Sequence, residues 1–142
     1  MQIPKSTRLV ATAATIVLCV SGLTACMAGE RHSEGLVLRT AGTVLPVAPR
    51  SDAYMEALLS GTLVKGPGGC LFVENNGQRA LVVWRHGSTL SSNGRSVVNG
   101  KSSLSVGDYV EIGGGFGTPP KSLPIPDACL TESPEAFFSS AP

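Results

Sequence analysis

The sequence predicts a small, mainly β domain: an antiparallel barrel, OB-like or similar, or else a sandwich, with one or two short helices. Three observations carry this. Short apolar runs recur at close spacing between Gly61 and Gly117. Asn-Gly pairs at Asn76-Gly77, Asn93-Gly94 and Asn99-Gly100 punctuate them. Such pairs between apolar runs are the strongest local hairpin signal, because both residues tolerate positive φ. After Gly117 the prolines at Pro119, Pro120, Pro124 and Pro126 rule out both a helix and a central strand. Five or more short strands in so little chain favour a barrel, since closure leaves few open edges for aggregation.

Taken in order, Thr62-Leu63-Val64 is the first strand of this block, and Gly66-Pro67-Gly68-Gly69 a turn. Cys70 to Glu74 and Arg79 to Trp84 form a hairpin about Asn75-Asn76-Gly77-Gln78. Val97-Val98 is a short strand between two Asn-Gly turns. Leu104, Val106, Val110 and Ile112 flank a Gly107-Asp108 turn, and Tyr109 to Ile112 alternates sides as a strand does. The stretch from Gly61 to Gly117 resembles small exported actinobacterial lipoproteins of unknown function. The features are Gly61-Thr62-Leu63, Gly69-Cys70-Leu71, Val83-Trp84 and Val106-Gly107-Asp108. That resemblance implies a fold and no activity.

Two short helices are expected beside the strands. Ser51 or Asp52 can cap one running from about Ala53 to Leu59, with Tyr54 and Leu58 on one face and Gly61 ending it. Ser133 followed by Pro134 is a good helix start, so Glu135 to Phe138 is expected as one turn that lays Phe137 and Phe138 on the barrel.

The N-terminus reads as an address. Lys5 and Arg8 precede an uncharged, largely apolar run from Leu9 to Val20, and small residues follow. These are the parts of a secretory signal. The run is about 12 residues, short of the roughly 20 a spanning helix needs. Leu23-Thr24-Ala25-Cys26 resembles the bacterial lipobox, which implies cleavage before Cys26 and a diacylglycerol thioether on its sulfur. The expected organisation is therefore a removed signal over 1–25, a lipidated tether over 26–50, and a disulfide-stapled β domain over 51–142. Pro46 and Pro49 suit the tether, although Leu36-Val37-Leu38 can also be read as a short strand on the domain.

Removing 25 of the 142 residues leaves 117, one domain's worth, with nine basic residues against ten acidic. No basic run interleaves with aromatics, so nucleic acid is not an expected partner. The expected partners are the membrane, through the anchor, and an envelope protein or cell-wall polymer. Cys19 leaves with the signal, and Cys70 and Cys129 remain as a natural disulfide outside the cytoplasm.

A catalytic or metal-binding set is not expected, and neither is a cofactor. Of the two histidines, His32 falls in the tether and His86 at a strand exit, which is too few ligands for a metal site. No Gly-x-Ser-x-Gly occurs, and Gly113-Gly114-Gly115-Phe116-Gly117 lacks the following helix that a phosphate loop requires. The glycines suit a bulge or a close backbone approach instead. Trp84, Arg85 and His86 are the candidate partner-binding residues, because Trp and Arg are enriched at binding surfaces. Trp84 itself is better placed in the core than on the surface. The expected function is a lipid-tethered binding or accessory module; the alternatives are an envelope enzyme whose site is not visible in the sequence, or a structural surface protein without a defined ligand.

Overall fold

The computed structural model describes residues 34–132 and 135–140. They form a mainly β protein built around a closed five-stranded barrel. The strands are β1 (Leu36–Thr40), β2 (Thr43–Val47), β3 (Ala57–Lys65), β4 (Leu71–Asn75), β5 (Gln78–Val83), β6 (Thr89–Leu90), β7 (Ser96–Asn99), β8 (Ser102–Ser105), β9 (Tyr109–Gly117) and β10 (Ala136–Ser139). A 3-10 turn at Pro67–Gly69 and one short helix, α1 (Asp127–Leu130), complete the set.

Going round the barrel, the order is β10, β5, β4, β3, β9 and back to β10. All pairs are antiparallel except β5 with β10. This is an OB-like Greek-key closure, in which β3, β4 and β5 form a meander that β9 and β10 close. Local chemistry sets the meander. In the β4–β5 hairpin, Asn76 and Gly77 lie at φ 50° and 77°, the left-handed pair that a two-residue turn needs to match strand twist. Between β5 and β9 the chain makes a separate three-stranded sheet, β6–β7–β8.

Strand alternation divides the core in two. Leu63, Leu71, Val73, Val82, Trp84, Val110, Ile112 and Phe137 point into the barrel. Leu45 and Val47 of β2 and Val97 of β7 pack in the same cluster. The opposite face of β4, β5 and β10 carries Phe72, Leu81, Val83 and Ala136. That outer face is covered by Val44, by Leu123 and Ile125 of the proline-rich segment, and by Cys129. A buried disulfide, Cys70–Cys129, pins this cover with Cα atoms 5.8 Å apart. It closes 59 residues of chain, for which loop-entropy reasoning gives about 4 kcal/mol.

Three expectations are corrected. The segment assigned to a tether is, from Gly35 on, part of the domain: β1 and β2 pair as a hairpin, every residue of β2 is buried, and Val44 and Val47 bridge to Cys70 and Trp84. The helix over Ala53 to Leu59 does not form. Residues 51–56 have no regular structure, and β3 begins at Ala57 because Leu58 pairs with Gly113 of β9. The turn of helix over Glu135 to Phe138 is strand β10, which finds partners on both sides in β5 and β9. Its expected cap, Ser133 and Pro134, lies outside the described residues, as does Cys26.

Candidate functional site

β5 and β10 run parallel and end at the same edge of the barrel, and the irregular segment after β2 crosses in front of them. Together they make a cleft of about 360 Å³, lined by residues 48–55, by Arg85 and His86 after β5, and by Phe138, Ser139 and Ser140 of β10 and its exit. This volume lies in the range of small-ligand sites.

The floor is fixed by hydrogen bonds between the strand exits. Ala48 N–H donates to the Trp84 carbonyl at 2.7 Å, and Trp84 N–H donates to the Pro46 carbonyl at 2.8 Å. One residue on, Arg85 N–H donates to the Ser139 hydroxyl at 2.9 Å. Ser51 Oγ accepts from Ala53 N–H at 3.1 Å, which shapes the crossing segment. On the far wall, Met55 lies over Gly115, whose missing Cβ leaves room for the thioether.

The three nominated residues separate. Trp84 is 1% exposed and belongs to the barrel core, so it is not a contact residue, and its indole N–H has no hydrogen-bond partner among the described residues. Arg85 and His86 are exposed on the rim of the cleft, with no ion-pair partner among the described residues. Arg50, Asp52 and Tyr54 join them, with no local signal in the sequence. Only the course of the chain from β2 to β3 brings that segment opposite the end of β5.

The cleft also gathers Ser51, Asp52, His86, Ser139 and Ser140. Ser51 and Ser139 hydroxyls accept from backbone N–H groups, and no Ser–His or His–Asp hydrogen bond links the set. No group of three or more His, Cys, Asp or Glu among the described residues is placed to hold a metal ion.

A second, shallower depression surrounds Glu74, Gln78, Arg79 and Glu132. Arg79 bonds Glu74 at 2.6 Å and lies 3.5 Å from Glu132, and the Glu74 hydrogen bond raises its pKa further above an already high value. Both partners are largely solvated, so the cluster reads as a surface ion pair.

The glycine run is not a ligand loop. Gly113 to Gly117 lie within β9, and Gly114 is needed because a Cβ there would run into the Phe138 carbonyl. Comparison with known protein families, with curated proteins and with solved structures finds no match.

Proposed function

We propose that this chain is an exported protein, lipidated at Cys26 and held on a membrane, whose barrel serves as a binding or accessory module of the cell envelope. The observation that carries the reading is the buried Cys70–Cys129 disulfide. A core built around an oxidised pair suits an oxidising compartment, the destination that a secretory signal specifies. The lipobox-like Leu23-Thr24-Ala25-Cys26 supplies the anchor. The partner is an envelope protein or a cell-wall polymer, and the cleft with Arg85 and His86 on its rim is the surface that meets it. The test is cross-linking of the tagged full-length protein in its native membranes. A component captured by the wild type, and lost from both Cys26→Ala and the Arg85→Ala/His86→Ala pair, supports the reading. Undiminished capture by the paired variant removes the cleft from it.

A second reading, an envelope hydrolase, rests on His86 sharing the cleft with Asp52 and three serines. Hydrogen bonds of catalytic groups often tighten only when substrate binds. Covalent labelling by a fluorophosphonate probe, abolished by His86→Ala, would favour this reading over the first.

A further inference from the structure

The described residues expose six large apolar side chains: Leu36, Tyr54, Met55, Leu58, Tyr109 and Phe116. Four of them lie at one end. Tyr54 and Met55 line the cleft; Met55 packs over Gly115; and Leu58 is paired with Gly113, two residues before Gly115. Leu36 pairs with Val47 on the other side of the same crossing segment. Tyr109 stands apart, at the far end of β9 opposite Thr62, and Phe116 turns its ring edge-on to Phe137 of the barrel core. Tyr54 is 83% exposed and Leu58 66%, and no described residue covers them. Apolar side chains gathered on one face of a small domain mark a contact surface.

The chain itself says what that surface faces. Gly35 is packed against the Val47 carbonyl and Pro49, so the chain from the N-terminus joins the domain at the opening of the crossing segment. Glu34 lies eight residues beyond Cys26, a span that even fully extended reaches about 26–29 Å. That is less than the roughly 33 Å across of a compact domain of about 100 residues. A chain this short keeps the end carrying Leu36, Tyr54 and Met55 nearest the anchor.

Resting on the proposed lipidation of Cys26, we infer that this end docks on the bilayer: Tyr54, Met55 and Leu58 enter the headgroup region, and Arg85 and His86 are left to the partner. Tyrosine favours that depth because it joins an apolar ring to a polar tip. Arg50 and Asp52 at the cleft, with Glu34 and Glu56 nearby, leave the face close to charge balance. Apolar insertion therefore outweighs charge attraction, and the docking is insensitive to salt. The cleft then opens at the headgroup plane, so a partner reaches it along the membrane.

The experiment uses the full-length protein, with its N-terminal lipid verified by mass, in phosphatidylcholine–phosphatidylglycerol vesicles with and without brominated acyl chains. Tyr54→Trp and Gln78→Trp are compared. Both sites are exposed, and Trp84, buried in the core, contributes the same emission to each. Gln78 opens β5, at the opposite end from Arg85. Docking predicts that brominated lipid quenches Tyr54→Trp and leaves Gln78→Trp unchanged, equally at low and high salt. Lipidated protein with neither probe quenched, or with both quenched alike, overturns the docking and leaves the anchor standing. A probe at 54 shielded from aqueous iodide yet untouched by bromine means that a protein covers the patch, which also overturns it. Absence of lipid on Cys26 overturns both the anchor and the docking.

Discussion

The backbone N–H of Arg85 donates to the hydroxyl of Ser139, 54 residues away in sequence. This bond ties the exit of β5 to the end of β10, where the two strands part and the cleft opens. Ser139 is buried, so removing its oxygen leaves a partly buried N–H without its acceptor. Ser139→Ala is expected to cost about 1 kcal/mol in urea unfolding. It is also expected to speed amide exchange at Arg85 without changing exchange at the β4–β5 hairpin.

The disulfide holds the proline-rich segment over the outer face of β4, β5 and β10. Replacing both cysteines by alanine should lower unfolding free energy by about 4 kcal/mol. Amide exchange should then rise first in residues 118–130, where no strand pairing remains to hold the chain. Loss of protection spread evenly over the barrel would mean that the disulfide supports the barrel wall itself.

Gly114 and Gly77 both lie at positive φ, 158° and 77°, but in different surroundings. A Cβ at Gly114 meets the Phe138 backbone, whereas nothing lies within 4 Å of one at Gly77. Gly77→Ala should cost about 1 kcal/mol, the conformational term alone. Gly114→Ala adds overpacking against a backbone that cannot move freely, so its cost should reach about 3 kcal/mol or prevent folding. Thermal unfolding of the two variants measures the difference.

Trp84 is the chain's single tryptophan and is closed into the barrel among Leu45, Val47 and Val82. Its fluorescence should be blue-shifted and resist iodide in the native state. Trp84→Ala should cost about 3–5 kcal/mol through the cavity it leaves. Trp84→Phe should cost less, because it also removes the indole N–H that no acceptor among the described residues meets.

What the sequence made legible was local. Asn76-Gly77 fixed the β4–β5 hairpin, Val97 and Val98 lay between turns as expected, and Cys70 paired with Cys129. The barrel class followed from such pieces. Pairings made over long distances left no local mark. The parallel contact of β10 with β5 joins Phe137 to Val82, and no turn announces it. Tyr54 and Leu58 are four apart, as on a helix face, yet Leu58, Ser60 and Thr62 are also two apart, as on a strand face. The edge of β9 decided between the two periods. Leu45 and Val47 looked like tether because Pro46 lies between them, but burial against the barrel outweighs that local preference. Of the candidate site, Arg85 and His86 were legible as a charged strand exit. Arg50, Asp52 and Tyr54 were not, since they lie about 30 residues earlier and reach the cleft only through the fold.

The proposed lipid anchor at Cys26 underlies both the proposed role and the inferred orientation on the membrane. It is tested most directly by the mass of the N-terminal peptide of the protein purified from its native membranes. The account predicts a chain that begins at Cys26 and carries the added mass of a diacylglycerol on its sulfur, lost together with membrane retention in Cys26→Ala. A chain recovered free in the aqueous fraction, with an unmodified cysteine or with residues 1–25 still attached, would contradict it.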